Sequence, residues 1–356
     1  LKTTIILPSI RVPLNLKTWV LQLEPETDEI IVAGNEASPH AAITEFLGQL
    51  TKDHGVMTTY LGPRDPRVTE KAIFEFIPPN HTSRRNFALL QALENRPDVL
   101  VTIDDDNYPY KADWLRGVKT LLDLDQRNHR TVIGSETGWW NVGRLCTPRV
   151  IHRGYPMTRW TEPDTGHIVD TDATPIGVVA SLWLDDPDIN AVERMLTNPQ
   201  VLHVSGSATL AKGTWCPFDS QSTSVHGMLA DMMFMWPDLG RYDDIWSSYL
   251  MRAVMDVTDW YVTYGTPAVT QDRNAHNLVR DLRDELFGYE HTEEFTDFLR
   301  ELVKKRPAGI MRAPYSVYEH FMRATAANYK RLPALTRDSF YAWLTDLNDV
   351  QKRTGM

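Results

Sequence analysis

Through the first two thirds of the chain, short apolar runs alternate with longer amphipathic stretches. Ile5-Ile6-Leu7, Glu29-Ile30-Ile31-Val32-Ala33 and Val99-Leu100-Val101-Thr102-Ile103 are rich in β-branched residues and bounded by Pro, Gly or Asp. Such runs predict buried strands, and the helix-length segments between them predict βαβ units. The segment from Ser83 to Leu93 has apolar residues at 87, 90 and 93, so it predicts a helix that starts at Ser83 and feeds the Val99 strand. Apolar residues at 245, 246, 249, 250, 253 and 254 predict another helix starting near Asp243. From about residue 280 the pattern is helical, with Leu278, Leu282 and Leu286, then Phe295, Phe298, Leu299 and Leu302 on helical spacing, followed by stretches at 315–332 and 337–348. A domain or subdomain change is expected near 280. The stretch from Pro163 to Pro175 predicts a long surface loop, and no internal repeat is visible.

The chain has 356 residues, enough for one large or two fused domains, and 42% of them are hydrophobic. Lys plus Arg number 37 and Asp plus Glu 47, a net charge of −10 with no long block of one sign. A dedicated duplex-nucleic-acid binder is disfavoured by that balance, because it needs a basic face. Cys146 and Cys216 are too few for a cysteine zinc site, and they read most simply as thiols of a reducing compartment. No run reaches the ~18 apolar residues of a membrane span, and the opening Leu1 to Pro8 is too short for a signal sequence. A cytoplasmic protein is expected, and a homo-oligomer is open.

Buried parallel strands bring their carboxyl ends to the ligand crevice of an α/β sheet, so chemistry is sought just after each run. Pro8-Ser9-Ile10-Arg11 follows the first run, Gly34-Asn35-Glu36 the second and Asp104-Asp105-Asp106 the third. Three adjacent carboxylates repel one another. A divalent cation such as Mg²⁺ or Mn²⁺ relieves that repulsion while neutralising a diphosphate, with Asp104 and Asp106 facing one way and Asp105 the other if the strand continues. A solvated acidic turn is the alternative. Asp243 and Asp244 fall in the first turn of a predicted helix, where they serve as base, acceptor-orienting or leaving-group residues beside a sugar, or merely complement the helix dipole. Arg84 and Arg85 are a diphosphate clamp or surface charges, and Arg11 stands in the same position. Trp215, Phe218 and Trp236 stack on a sugar or belong to the core, and Asp219, Ser220 and Gln221 are candidate acceptor contacts.

The chain resembles the plant reversibly glycosylated polypeptides, which act as UDP-arabinopyranose mutases, and their microbial glycosyltransferase relatives. The resemblance runs from Pro8-Ser9-Ile10-Arg11 and Trp19 through Ile30-Ile31-Val32 and Thr102-Ile103-Asp104-Asp105-Asp106 to Arg153-Gly154-Tyr155-Pro156, Leu182-Trp183-Leu184 and Lys212-Gly213-Thr214. Gly240-Arg241-Tyr242-Asp243-Asp244-Ile245-Trp246 is its most specific segment, and the whole covers roughly residues 4–280. It implies an α/β GT-A fold, Rossmann-like and nucleotide-sugar-binding, over residues 1–280, with a helical subdomain at 281–356. It also implies an Asp-rich motif that holds Mn²⁺ or Mg²⁺ on the diphosphate. His276 is a candidate third metal ligand by analogy with GT-A enzymes.

Three departures are visible. Gly34-Asn35-Glu36 replaces the family's Asp-Gly-Asp, and Gln271-Asp272-Arg273 replaces its His-Ser-Lys. The family reads Arg-Gly-Tyr-Pro-Phe-Ser-Leu-Arg, with the last Arg tied to self-glycosylation, whereas here Arg159 is displaced by one position. The leading expectation is a metal-dependent glycosyltransferase with a nucleoside diphosphate sugar donor, most simply UDP-linked, and an unknown acceptor. In it Asp243 and Asp244 act on the sugar or acceptor side, while Pro8, Ser9, Arg11, Arg84, Arg85, Asp104 and Asp105 hold the nucleotide sugar. Asp104, Asp106 and His276 hold the metal, and Trp215, Asp219 and Gln221 meet acceptor or sugar. A UDP-sugar pyranose/furanose mutase and a noncatalytic sugar-nucleotide-binding subunit are the alternatives.

Overall fold

The computed structural model describes residues 1–125, 132–169, 175–273, 276–305 and 313–355. Its strands are β1 (Thr3–Ser9), β2 (Glu29–Gly34), β3 (Met57–Leu61), β4 (Val99–Ile103), β5 (Asn107–Pro109), β6 (Val132–Ser135), β7 (Cys146–Thr147), β8 (Gly166–Val169), β9 (Ile176–Asp185), β10 (His203–Val204), β11 (Ser207–Leu210), β12 (Ser222–His226) and β13 (Tyr261–Gln271). The α-helices are α1 (Leu16–Trp19), α2 (His40–His54), α3 (Pro66–Thr69), α4 (Arg85–Asn95), α5 (Trp114–Leu122), α6 (Ala191–Leu196), α7 (Asp243–Val257), α8 (Leu278–Lys304), α9 (Pro314–Asn328) and α10 (Ala334–Thr354). Among the described residues eleven strands form one sheet in the order β3-β2-β1-β4-β12-β9-β13-β11-β6-β8, with β5 added against β13.

The first four of these strands in spatial order are parallel. The chain steps outward from β1 to β2 to β3, then returns through α4 to place β4 on the other side of β1. That reversal creates a topological switch point between β1 and β4, where open α/β sheets bind ligands beyond the strands' carboxyl ends. All residues of β1, β2 and β4 are buried, as their unbroken apolar runs require. The strand β12 pairs antiparallel with both β4 and β9, so the sheet is mixed beyond the switch point. This is the α/β arrangement of a GT-A fold, with a C-terminal region whose described residues form α8, α9 and α10.

Four local expectations are corrected. Ser83 does not start the helix: Thr82–Arg84 forms a 3₁₀ turn, and α4 begins at Arg85. Arg84 and Arg85 are buried instead of lying on a solvated face, because the turn swings both guanidiniums under the sheet's carboxyl edge. The stretch from Pro163 to Pro175 is not all loop, since β8 extends the sheet antiparallel to β6; residues 170–174 lie outside the described residues. In α8 the buried face starts with Asp281, Glu285 and Gly288 rather than with Leu278, Leu282 and Leu286, and Leu286 is 48% exposed. The acidic face turns inward because Glu285 Oε1 accepts from Arg241 Nε at 2.8 Å and its Oε2 accepts from the Ala191 amide at 2.8 Å. At Gly288 an added Cβ would stand 2.3 Å from the Tyr242 ring, so only glycine lets α8 approach this closely.

The helix α7 is buried from Asp243 through Met255, which explains why its apolar positions cover more than one face. Lys212 caps its far end, donating to the carbonyls of Met255 (2.6 Å), Thr258 (2.8 Å) and Trp260 (2.5 Å). Burial first, and the neighbouring Arg252 charge second, push the Lys212 amine down to about 7. Trp19 likewise serves the fold, its indole donating to the Asn107 carbonyl at 2.8 Å and so tying α1 to β5.

Candidate functional site

At the switch point lies a cavity of about 290 Å³. Pro8, Ser9, Asn35, Thr82 and Arg85 line one part of it; Asp104, Asp105, Asp106, Ser220, Gln221, Asp243 and Asp244 line another. Arg153, Asp188, Arg241, Gln271, Arg273 and His276 complete it. Both acidic clusters, more than 130 residues apart in sequence, therefore face one space.

The triple-Asp segment is not a continuation of β4, which ends at Ile103, but a turn leading into β5. Each carboxylate consequently takes its own direction, in place of the two-and-one alternation expected of a strand. Asp104 Oδ1 accepts from Arg85 Nη2. Asp105 accepts from Ser9 Oγ at 2.8 Å and pairs with Arg11 at 3.2 Å; burial raises its carboxyl, against the pull of these two partners. Asp106 is buried and accepts from Gln271 Nε2 at 3.3 Å, while its carbonyl accepts from the Asp272 amide at 2.9 Å.

The second cluster is asymmetric. Asp244 meets Arg153 in a bidentate pair, with Nη1 to Oδ1 at 3.0 Å and Nη2 to Oδ2 at 3.1 Å. Its Oδ2 also accepts from the Ser220 amide at 2.9 Å and from Ser220 Oγ at 3.1 Å. Burial opposes ionisation, but the Arg153 guanidinium outweighs it and holds Asp244 below the usual carboxylate value. Asp243 has no guanidinium hydrogen bond among the described residues, and Arg153 acts on it only as a more distant charge. Its Oδ2 accepts from Thr82 Oγ1 at 2.8 Å and its Oδ1 from the Asp244 amide at 2.9 Å, and burial together with the adjacent Asp244 charge lifts its carboxyl to about 6.

Arg153 extends this arrangement into a buried ionic chain. Its Nε donates to Asp188 at 2.8 Å, Arg241 stands 3.5 Å from the other oxygen of Asp188, and Arg241 also reaches Glu285 and Asp281. Asp281 in turn accepts from His276 Nδ1 at 2.9 Å in the tautomer that carries hydrogen there. At Gly240, where φ is +56° and an added Cβ would stand 2.3 Å from the Asp284 carbonyl, the chain makes the turn that brings Arg241 to these partners.

Several sequence candidates lie elsewhere. Trp215 is fully buried in the core, where its indole donates to Asp256 at 2.6 Å and its ring stacks under Arg300, so it meets no ligand in the cavity. Phe218 and Trp236 are core residues as well. Asp219 stands behind the cavity wall, accepting from the Gln221 amide at 3.0 Å and 3.7 Å from His152. Burial, and then the charges of Asp188 and Asp244, raise its carboxyl well above the usual carboxylate range, and burial lowers His152 to about 4. Arg84 turns away from the cavity to donate to the Gly34 carbonyl at 2.7 Å and to cover the Phe87 ring at 5.0 Å. Arg11 is engaged with Asp105. Arg159 points to Glu162, Glu293 and the Trp139 ring, outside the cavity lining. Asp188 and Thr82 were not singled out from sequence; Asn35, Arg153, Arg241, Gln271 and Arg273 sat within quoted segments without an assigned role, and nothing in the pattern marked their partners.

The donor set can be tested against a divalent cation. Asp104, Asp105 and Asp106 offer hard oxygen donors, and Asp104 keeps a 39% exposed side chain whose Oδ2 has no protein partner among the described residues. No group of three His, Cys, Asp or Glu side chains among the described residues is arranged to hold a metal alone. His276 lines the cavity and uses Nδ1 on Asp281, which leaves Nε2 as its donor atom for a cation. Such a set fits a cation held by one or two carboxylates and completed by phosphate oxygens, the usual manner of Mg²⁺ at nucleotides.

No family model matches the chain. UDP-arabinopyranose mutase 3 of Arabidopsis thaliana is 25% identical over 158 residues, spanning 42% of this chain and 40% of that protein. UDP-arabinopyranose mutase 1 of the same plant is 22% identical over 323 residues, 87% of this chain and 82% of that protein. Among solved structures, the mannosyltransferase PcManGT from Pyrobaculum calidifontis, in complex with GDP-Man and Mn²⁺, covers the whole chain at 13% identity and a TM-score of 0.43. Glucosyl-3-phosphoglycerate synthase from Mycobacterium tuberculosis, in complex with Mn²⁺ and UDP-glucose, covers 87% of the chain at 12% identity and a TM-score of 0.40. These structural likenesses are loose, and the fold rests on the sheet order itself. No helix among the described residues is long and apolar enough to cross a membrane. Over most of its length the chain is similar to the plant UDP-arabinopyranose mutases, enzymes of the family whose motifs its sequence carries.

Proposed function

We propose that the protein is an enzyme that breaks the anomeric C–O bond of a nucleoside diphosphate sugar, most simply UDP-linked, and transfers the sugar to an acceptor. The observation that carries this reading is the convergence of Asp104, Asp105 and Asp106 with Asp243 and Asp244 on one cavity at the switch point of the sheet. Pro8, Ser9 and Asn35 form the nucleoside end, since they follow β1 and β2 at the strands' carboxyl edge. Asp104 and Asp106 would hold a divalent cation, which when bound supplies charge neutralisation to the departing diphosphate. Asp243, with a carboxyl near 6, takes a proton from the acceptor hydroxyl. Asp244 remains ionised under Arg153 and fixes the start of α7, which sets the direction of Asp243.

The test is a screen with Mn²⁺ against UDP-, GDP- and TDP-sugars, followed by product analysis. A transferase releases the nucleoside diphosphate, whereas a mutase returns a rearranged nucleotide sugar. The mutase is the second reading, favoured by similarity to mutases over 87% of the chain. The placement of Arg159 outside the cavity weighs against self-glycosylation at that residue. Binding of UDP measured calorimetrically should fall at least tenfold in EDTA; equal affinity with and without EDTA would remove the cation from the scheme.

A further inference from the structure

Three adjacent carboxylates at a strand end demand compensation, and the free protein already contains it. Asp104 accepts from Arg85, and Asp105 pairs with Arg11 at 3.2 Å. Arg85 is anchored far more firmly than a surface cation. Its side chain is 2% exposed, Nη2 also donates to the Ile103 carbonyl at 2.9 Å, and Nη1 donates to Ser220 Oγ and approaches Met235 Sδ at 3.6 Å. The guanidinium is therefore held in place at the end of β4, whichever way the more exposed Asp104 turns.

We propose that Arg85 stands, in the free protein, in the charge position that a divalent cation would otherwise fill at Asp104, so that the cation enters with the nucleotide diphosphate and not before it. This rests on the metal-dependent reading above and goes beyond it by assigning an order of binding to one residue. Two opposing effects decide the sign. Through its hydrogen bond Arg85 orients Asp104, and loss of such an orienting partner lowers metal affinity about 10–100-fold. Through its charge it repels the cation. A single and a double positive charge sharing one carboxylate sit about 5 Å apart, and even at an effective dielectric of ~20 their repulsion corresponds to more than that factor. Repulsion wins in the free protein. Once the diphosphate brings its own negative charges, the guanidinium and the cation are both compensated, and the penalty disappears.

The same network carries the binding event further. Ser220 Oγ accepts from Arg85 and donates to Asp244 Oδ2 at 3.1 Å, so a change at Asp104 is felt at the start of α7 three hydrogen bonds away.

The experiment is a Mn²⁺ titration followed by electron paramagnetic resonance, with Mn²⁺ alone and with saturating UDP, corrected by UDP in the absence of protein. Wild-type protein is expected to take up Mn²⁺ alone at least 30-fold more weakly than with UDP. Arg85→Met should tighten uptake of Mn²⁺ alone at least tenfold, Arg85→Lys should stay close to wild type because the charge is kept, and Asp104→Asn added to Arg85→Met should cancel the gain. Wild-type protein that binds Mn²⁺ alone as tightly as with UDP overturns the proposal, and that arm does not depend on any variant folding. Unchanged or weaker uptake in an Arg85→Met protein with a wild-type circular dichroism spectrum overturns it as well, while leaving the metal-dependent reading intact. Absence of uptake by wild-type protein under both conditions brings down both.

Discussion

The two adjacent aspartates at 243 and 244 show how little a residue's type says of its role until its partners are known. Both are buried carboxylates in the first turn of one helix, yet one is pinned by a guanidinium and the other is not. The functional and the structural roles should therefore separate by mutation. Asp243→Asn is expected to lower kcat about 10²–10⁴-fold with UDP affinity changed less than threefold. Because Asp243 acts in its ionised form, wild-type kcat/KM should rise with pH through about 6, and this limb should vanish in the variant. Asp244→Asn leaves Arg153 with half its compensation in a buried site, so it should cost about 2–4 kcal/mol in urea unfolding. Adding Arg153→Met to Asp244→Asn should recover part of that loss; full additivity would mean that the pair is not coupled.

At the scale of elements, the packing of α8 on the segment that precedes α7 is set by one missing side chain. The Tyr242 ring fills the space where a Cβ of Gly288 would be, 2.3 Å from ring carbons. Gly288→Ala should force the two elements apart and cost about 1–3 kcal/mol, more than the helix propensity of alanine returns. Since Glu285 and Asp281 on the same helix hold Arg241, the displacement should also raise KM for the nucleotide sugar. A Gly288→Ala protein as stable and active as wild type would show that α8 yields without disturbing the ionic chain. The polar burial of α8 also shows why periodicity misplaced its inner face. Spacing alone reads acidic positions as outward, whereas Asp281 and Glu285 are tolerated inside because the Arg241 guanidinium pairs with both.

For the whole molecule, stability is expected to decline from mildly acidic to neutral pH through a carboxyl remote from the cavity. Asp231 lies in the 3₁₀ turn Gly227–Met232 that packs on α9, its Oδ1 is buried without a hydrogen-bond partner among the described residues, and burial outweighs the backbone amides of Asp231 and Met232 to lift its carboxyl to about 7. The folded pKa is raised above the unfolded one, so the protonated group's contribution is complete below about pH 4 and is lost as pH rises toward 7. Asp231→Asn should therefore match wild type in unfolding free energy near pH 4.5 to within about 1 kcal/mol and exceed it by roughly 1–3 kcal/mol at pH 8. Parallel pH dependence of the two proteins would show that Asp231 ionises without penalty.

The sequence by itself determined the strands β1, β2 and β4 to within two residues at each end, the start of α7, and the two acidic clusters, because each depends on residues adjacent in the chain. Unbroken β-branched runs have no stable place except a buried parallel sheet, and the carboxylates that follow them must then stand at its ligand edge. Only the tertiary structure decided that Arg85 neutralises Asp104, that Arg153 holds Asp244, that Trp215 is core and Asp219 hidden, and that β8 completes the sheet. The two ion pairs join positions 19 and 91 residues apart, where opposite charges exclude water together. Local pattern records hydrophobicity and spacing, whereas the worth of a buried charge depends on its distance to another charge, which chain order does not contain.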